Sequence, residues 1–507
     1  MSLTPHTRVL ARCLQLQWLQ PQHRCSSVQV AVQTDAPVSA EWANARPYSE
    51  IPGPRPLPLI GNAWRFLPII GTVPPGDFFL WQKQMQKFGP ISKFSGIPGK
   101  NDIVFLFDPR DFETVFRHEG QWPERMYLAS LSYYRNVERK EFFENVGGVM
   151  IENGEKWQKS RTYVNPVMMQ PRNARNYATR IDEITQEFVR KIPDMLDDKS
   201  ETPADFVKEM QKWALESIAM VTLDARIGCL QSNLPIDSEP YRLINAADQV
   251  FDLLFELEFR IPFWKLISTP KWRRFVKALD VFTEVSTRHI ENAQRRLKEN
   301  PHQDGTEMSV LEKLLLRDPN PKKAVVMALD MMMAGIDTTA YTAGCVLYTL
   351  ARNPEQQERL FSELKQMMPS PDMPLTADIL ENLKFLKACI KENNRMAPIV
   401  VGITRNVKED IVLSNYQIPK GTDVITCNLL VTSNEEYFPQ SSKFLPERWL
   451  KNTGSCPVHK PHPFAMLPFG YGKRKCVGMR FATLEMESLI ARGPMRIRLS
   501  PREKVDQ

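Results

Sequence analysis

The residues best suited to chemistry lie near the end of the chain, in a loop that carries Cys476 (residues 469–478, F-G-Y-G-K-R-K-C-V-G). Glycines on both sides of the cysteine, at a predicted loop-to-helix junction, let the backbone pass close to a flat group. Backbone N–H groups at a helix start and three basic neighbours favour a thiolate. Such a thiolate could be a nucleophile or a metal ligand. The nearest histidines in sequence, His459 and His462, show no arrangement typical of a general base, so the sequence favours an iron ligand.

A second polar group interrupts the longest apolar helix that the sequence predicts. This helix spans about residues 320–352, between two Asn-Pro pairs that are typical of helix starts. It is apolar nearly all round and is therefore predicted to be buried. Its middle, residues 334–339 (A-G-I-D-T-T), contains Gly335, Asp337 and Thr338, each of which is unfavourable in a buried helix or distorts it. Three such residues together indicate a functional site, and a tolerated polar break is the alternative.

The elements that must position these two groups are mostly helices. Residues 91–95 and 103–107 predict a β-hairpin, and residues 109–397 show helical periodicity almost throughout. Residues 398–475 form a second region rich in strands and loops, and a last helix begins near Cys476. The sequence therefore predicts one large, mainly α fold with a small β region.

Composition and charge exclude several classes of protein. The 507 residues are 42% hydrophobic and 25% charged, which is typical of a globular chain. The formal net charge of +7 falls to +4 without the three arginines of residues 1–34, which argues against a nucleic-acid-binding protein. The eight cysteines and seven histidines lack the spacing of a zinc site or a disulfide scaffold.

The two ends of the chain suggest targeting and truncation. Residues 1–34 contain arginines and serines but no acid, which is typical of a mitochondrial transit peptide, with a disordered tail as the alternative. The sequence contains no run of 18 apolar residues and therefore predicts no transmembrane helix. Residues 35–61 are predicted to be a proline-rich, extended connector, and residues 62–507 a single domain. At the other end, Gly493-Pro494 ends the last helix early.

The Cys476 loop carries a pattern known from one enzyme family. Its sequence F-x-x-G-x-R-x-C-x-G resembles the haem-binding loop of the cytochrome P-450 monooxygenases at all five fixed positions, namely Phe469, Gly472, Arg474, Cys476 and Gly478. Further family motifs occur in the family's order: W-x-x-x-R (Trp157, Arg161), A-G-I-D-T-T (334–339), E-x-x-R (Glu392, Arg395) and P-E-R (446–448). The resemblance covers residues from about 51 to 492.

The resemblance implies a cytochrome P-450 fold, with haem b between the long central helix and the helix of the cysteine loop. Cys476 would be the axial thiolate ligand of the haem iron, which favours O–O cleavage. Residues that would bind the haem propionates by family position are Arg474, Trp157, Arg161 and Arg405. In the long helix, Asp337 and Thr338 resemble the pair that relays protons during oxygen activation.

Two further groups of residues have roles by resemblance. Glu392, Arg395 and Arg448 would form a buried charged triad that is structural. Lys387 and Lys391 lie one helical turn apart, where relatives that receive electrons from a small acidic ferredoxin carry lysines. The expected partners are therefore a mitochondrial [2Fe-2S] ferredoxin with its NADPH-dependent reductase, on the matrix side of the inner membrane. An ordinary solvated helix face is the alternative.

The expected reaction is insertion of one oxygen atom of O2 into a small lipophilic substrate, either steroid-like or xenobiotic. The candidate pocket segments by family position, residues 126–149, 329–339 and 399–403, are mostly apolar. Two alternatives remain open. One is a non-oxidative haem-thiolate isomerase or dehydratase, against which the intact A-G-I-D-T-T segment argues. The other is a catalytically impaired isoform that binds haem poorly, because the β region after residue 492 is shorter than in relatives.

Overall fold

The computed structural model describes residues 40–493 except for short internal gaps: 68–70, 74–76, 98–99, 127, 199–200, 204, 233, 260–261, 300–307, 319, 371 and 451–460. The chain divides into two compact units, residues 1–45 and 46–507. The described part of the first unit is one short helix, α1 (Ala40–Asn44). All further elements belong to the second unit.

The second unit is predominantly helical. Its α-helices within the described residues are α2 (Phe78–Gln86), α3 (Pro109–Arg117), α4 (Ala129–Tyr133), α5 (Lys140–Phe143), α6 (Gly154–Met168), α7 (Pro171–Arg175), α8 (Ala178–Met195), α9 (Phe206–Thr222), α10 (Glu239–Phe259), α11 (Pro270–Glu299), α12 (Val310–Arg317), α13 (Lys322–Ala351), α14 (Pro354–Met367), α15 (Ala377–Asn382), α16 (Lys384–Met396), α17 (Asn428–Thr432) and α18 (Met479–Arg492). A π-helical turn (Tyr134–Glu138) joins α4 to α5.

The strands form two small sheets. They are β1 (Ile91–Phe94), β2 (Ile103–Leu106), β3 (Ile403–Asn406), β4 (Ile411–Leu413), β5 (Tyr416–Ile418) and β6 (Asp423–Thr426). In the larger sheet the order is β1-β2-β6-β3, and only the β2–β6 pair is parallel. β4 and β5 form a separate antiparallel pair. The predicted hairpin and the mainly α fold with a small β region are confirmed.

Helix α13 forms the centre of the largest hydrophobic core. It packs against α9, α11 and α18, and most of its side chains between Ala324 and Leu350 are buried. The side chain of Asn320 accepts a hydrogen bond from the Lys322 amide at 2.9 Å, which satisfies a donor at the helix start. The helix remains continuous through residues 334–339, although Thr338 Oγ1 donates a hydrogen bond to the Ala334 carbonyl one turn back.

Some predictions differ from the structure or lie beyond it. The connector is not extended throughout, because Leu57 and Gly61 pair their backbones across a tight turn and a 3-10 turn occupies Tyr48–Glu50. The last helix begins at Met479, three residues after Cys476. The predicted transit peptide (1–34) lies outside the described residues, as does all but the first residue of the shortened β region predicted after 492, and the domain boundaries stay predictions. In the part of the chain that is described, every helix is too short or too polar to cross a membrane.

Candidate active site

The loop before α18 wraps around Cys476. Gly470 and Gly472 have φ values of +73° and +68°, and a side chain at position 472 would meet the Glu119 carboxylate at 3.0 Å. The amide of Cys476 donates to the Phe469 carbonyl at 2.9 Å, which closes the loop over the start of α18. Glycine is therefore favoured at position 470 by the backbone conformation, and at position 472 by both the conformation and the nearby carboxylate. The two glycines allow the loop to turn just before α18.

Cys476 lies close to α13, at a concave part of the surface. Its side chain is accessible, yet burial by surrounding protein raises its pKa, while the Gly478 and Met479 amides, Arg161 and Lys475 lower it. A side chain that combines accessibility with strong burial lines a concave surface. A Cβ on Gly478 would lie 3.0 Å from Met331 Cε and 4.0 Å from Cys476 Sγ, so the loop approaches α13 closely here.

A group of positively charged side chains lies near Cys476. Arg474 donates to the Pro123 carbonyl at 2.7 Å and to Asn153 Oδ1 at 2.6 Å, and its guanidinium lies 4.3 Å from the centre of the Trp157 ring. Burial, Arg125 and Arg405 together lower the pKa of Arg474 to about 8. These neutral acceptors position the guanidinium without neutralising it.

Arg125 and Arg405 extend the same positively charged group. Burial and the charge of Arg405 lower the pKa of Arg125 to about 10. Arg405 donates to Glu119 Oε1 at 2.6 Å, and burial raises the pKa of Glu119 while Arg405 and Arg474 lower it. Glu119 and Glu124 therefore lie near this group of guanidiniums, yet burial and the like charges around them still lower the pKa values of Arg474 and Arg125.

Arg161 adds a fourth guanidinium beside the cysteine. Its Nη2 donates to the Lys475 carbonyl at 2.6 Å, whereas its buried Nε has no hydrogen-bond partner among the described residues. Burial lowers the pKa of Arg161, and Cys476 raises it. An orphaned buried donor and an excess of cations fit a flat ligand with anionic substituents, and a soft thiolate fits iron. The residues present therefore fit haem.

On α13, the neighbouring residues Asp337 and Thr338 form hydrogen bonds with different partners. Thr338 Oγ1 donates to the Ala334 carbonyl at 2.6 Å, and Asp337 Oδ1 accepts from Gln211 Nε2 at 2.7 Å. Burial, with smaller contributions from Asp248 and Asp252, raises the pKa of Asp337 to about 6 against the lowering effect of Gln211. This carboxyl group can therefore hold or release a proton near neutral pH.

Comparison with known proteins decides the family. The sequence pattern of the family described as Cytochrome P450 matches residues 51–505. The chain belongs to the cytochrome P450 family. It is 40% identical to "Probable cytochrome P450 301a1, mitochondrial" of Drosophila melanogaster over 90% of this chain and 82% of that protein. It is 39% identical to "Probable cytochrome P450 49a1" of the same fly, over 90% and 78%. It is 37% identical to "Cytochrome P450 CYP12A2" of Musca domestica, over 90% and 86%.

Family membership confirms the P450 fold, the monooxygenase class of oxidoreductase and haem b as the cofactor. In P450s a cysteine thiolate binds the haem iron. Membership does not by itself assign roles to individual residues of this chain, so the site residues named from the sequence stay predictions.

The predicted triad is assembled around Glu392. Its carboxylate accepts from Arg395 Nη2 at 2.8 Å and from Arg448 Nε at 3.2 Å, and all three side chains are buried. Two neutral donors complete its coordination, the Leu445 amide at 3.1 Å and Trp449 Nε1 at 2.9 Å. The contacts join α16 to the P-E-R turn, 53 to 57 residues later in the chain.

The two predicted ferredoxin-binding lysines lie on one face of α16 but differ in exposure. Lys391 is exposed, whereas Lys387 is half-buried and donates to the Glu381 carbonyl at 3.1 Å. Beside them a cleft of about 260 Å³ is lined in part by Lys387, Phe469, Arg480 and Glu487. Lys391 is therefore the freer of the two charges.

Three residues of the site escaped the sequence analysis. Arg125 and Glu119 precede the candidate pocket segment, and Gln211 lies on α9, far from every motif. Each matters because of a neighbour that is distant in sequence: Glu119 pairs with Arg405 at a separation of 286 residues, and Gln211 with Asp337 at 126. The sequence around each of these three residues contains no motif that would have identified it.

Proposed function

We propose that this chain is a mitochondrial haem-thiolate monooxygenase that hydroxylates a small lipophilic substrate, steroid-like or xenobiotic, with electrons from a [2Fe-2S] ferredoxin. The observation that carries the proposal is an accessible Cys476 with Arg161 beside it, close to a group of three further guanidiniums, those of Arg474, Arg125 and Arg405. Haem, when bound, supplies oxygen activation, and the chain supplies position, charge and protons.

In this proposal each part of the site has a defined task. Cys476 holds the iron, and the loop residues Phe469, Gly472 and Gly478 shape its approach. Arg474, Trp157, Arg161 and Arg405, together with the newly found Arg125, bind the propionates. Asp337 and Thr338 handle protons on the opposite side. Glu392, Arg395 and Arg448 keep the helix beneath the site in place.

The mitochondrial and ferredoxin assignments rest on similarity and on charge. Several relatives are named mitochondrial, as in the Drosophila proteins described as P450 301a1 and P450 12a5. The exposed Lys391 and Arg480 beside the cysteine loop form a basic surface, defined here as the proximal surface, which suits an acidic donor. Exposed Phe263, Leu266 and Ile267 next to basic residues support peripheral contact with the matrix side of the inner membrane.

The test is the difference spectrum of the reduced protein with and without carbon monoxide. Wild type should show the thiolate-type band, Cys476→Ala should lose it, and Cys345→Ala, a half-buried thiol on α13, should keep it. Retention of the band in Cys476→Ala would contradict the ligand assignment. A wild-type protein that retains no haem would instead support the impaired isoform.

Turnover distinguishes the remaining alternative. A monooxygenase consumes O2 and reducing equivalents with each product, whereas an isomerase or dehydratase needs neither. Purified protein is supplied with a mitochondrial ferredoxin, its NADPH-dependent reductase and a panel of steroids and xenobiotics, with and without oxygen. Product that forms equally well under anaerobic conditions would refute the monooxygenase assignment.

A further inference from the structure

Gln211 links Asp337, the acid of α13, to one further carboxyl group, that of Asp248. Its Nε2 donates to Asp337 Oδ1 at 2.7 Å and to Asp248 Oδ1 at 2.7 Å, so one amide nitrogen uses both of its protons on two carboxylates. Gln211 itself is 1% exposed on α9, between α13 and α10. A buried amide with two such acceptors is firmly held, because rotation would leave both carboxylates without a donor.

The polar side chains around Gln211 differ in their exposure to solvent. Asp337 is 8% exposed, Asp248 is half-buried, and Asp252, one turn further along α10, is exposed. On α13, Tyr341 lies one turn beyond Asp337 and is 43% exposed. Side-chain exposure therefore increases from Asp337 outward along α10 and α13.

The groups that face Asp337 act on its proton in opposite directions. Gln211 from α9 stabilises the carboxylate by hydrogen bonding, whereas Asp248 and Asp252 from α10 disfavour it by their negative charge. Burial and the same three carboxylates raise the pKa of Tyr341 on α13. A proton carrier is most effective when its pKa lies near the working pH, which this balance supports.

We infer that Gln211 is a positioning residue that holds the Asp337 carboxyl group in a solvent-connected passage formed with Asp248 and Asp252, through which the site takes up its protons. The inference rests on the proposed monooxygenase function. A hydronium ion from bulk solvent gives its proton to the Asp337 carboxylate and leaves as water. The amide of Gln211 only donates hydrogen bonds and carries no proton itself.

A purely structural role for Gln211 is the competing explanation, and it predicts different results. If Gln211 only fills space, Gln211→Leu, which is similar in size, changes stability but neither the titration of Asp337 nor its proton supply. If it positions the carboxyl group, the loss of one hydrogen bond raises the Asp337 pKa, and Asp248→Asn lowers it by removing a like charge. The two substitutions thus shift the titration in opposite directions.

The experiment uses the full-length, haem-loaded protein. Infrared spectra of the carboxyl C=O stretch are recorded over pH, and the Asp337 band is assigned from its absence in Asp337→Asn. We expect the midpoint to move up in Gln211→Leu and down in Asp248→Asn. The matched control is Gln249→Leu, since Gln249 neighbours Asp248 but bonds to the Asn245 carbonyl instead. Unchanged midpoints in both variants would overturn the inference.

Turnover provides a second readout. In Gln211→Leu we expect peroxide release relative to product to rise several-fold and the solvent isotope effect on product formation to increase, while Gln249→Leu matches wild type. Wild-type coupling in Gln211→Leu would also overturn the inference. If wild type forms no product, the proposed function fails, whereas the infrared titration still tests the position of Asp337. Asp248→Asn, at a half-buried site, keeps the test decisive if Gln211→Leu does not fold.

Discussion

Replacement of Glu392 by glutamine should strongly destabilise the protein. Glu392 is fully buried and accepts hydrogen bonds from both Arg395 and Arg448, whose side chains are only 1% and 4% exposed. Glu392→Gln keeps the shape of the side chain but removes its charge. Two buried guanidinium groups would then lose the carboxylate to which both of them bond, and the new amide N–H group would point at other donors.

The expected cost follows from what remains to compensate those charges. Breaking a buried ion pair by removing one partner costs about 3 to 5 kcal/mol. Arg395 keeps the Thr432 carbonyl at 3.0 Å, and Arg448 keeps the Pro439 carbonyl at 2.5 Å. These dipoles satisfy some donors but do not neutralise the charge, so we expect a loss of free energy of unfolding within that range.

Urea unfolding of the haem-loaded protein, followed by far-ultraviolet circular dichroism, measures the effect. The midpoint should fall by roughly 1 M, because each molar of urea lowers the free energy of unfolding by a few kcal/mol. The matched control is Arg359→Ala, which breaks a half-exposed pair between Arg359 and Glu447 in the same region. Exposed pairs contribute about 0 to 1 kcal/mol, so its midpoint should stay close to wild type.

Two outcomes would contradict this reasoning. A Glu392→Gln protein that unfolds at the wild-type midpoint would show that the backbone carbonyls alone stabilise both arginines. An Arg359→Ala protein that loses as much stability as Glu392→Gln would show that burial does not distinguish the two ion pairs.

Three further predictions concern steric fit, pH and electron transfer. Gly148→Ala should lower the thermal midpoint far more than Gly120→Ala: both glycines have positive φ, but a Cβ at 148 would lie 2.5 Å from a side chain of α13, and one at 120 meets nothing within 4 Å. Equal shifts would exclude the steric explanation. Burial raises the pKa of Asp111 from 3.8 to about 6, so its charge costs stability above pH 6, and wild type should gain stability as the pH falls from 6 towards 3.8. In urea titrations at several pH values, Asp111→Asn should show a smaller gain, and an identical pH profile would refute the assignment. Lys391→Gln should weaken ferredoxin binding several-fold at low salt and flatten its salt dependence, whereas Lys83→Gln, exposed on α2, should not. Affinity titrations at two ionic strengths decide this, and equal affinities in both variants would return Lys391 to an ordinary solvated position.

Structural features that depend mainly on neighbouring residues in the chain could be predicted from the sequence. The cysteine loop is one such feature, because the cysteine, the glycines and the basic residues all lie within ten positions, and the helix that follows starts where the polar run ends. Helix α13 is another, since apolar residues on all sides require burial whatever the neighbours are. The hairpin of β1 and β2 could likewise be predicted from two short apolar segments and the turn between them.

The charge balance of the site could not be predicted in this way. The sequence indicates which arginines resemble propionate-binding residues, but only the folded chain brings Arg125 close to Arg474 and places Glu119 and Glu124 near them. Hydrogen bonding and desolvation depend on distances between groups on different elements, and no spacing in the sequence encodes those distances.

Asp337 on α13 also shows what could be predicted from the sequence and what required the tertiary structure. Asp337 was identified from the sequence because a charged residue in an apolar helix needs a partner. Its partner, Gln211, comes from another helix 126 residues earlier and also binds Asp248, which only the packing of α9 between α10 and α13 determines. The sequence by itself therefore determined the family motifs and the candidate residues that they contain. Tertiary structure decided their protonation and orientation, because a buried charge is set by the groups that surround it in space.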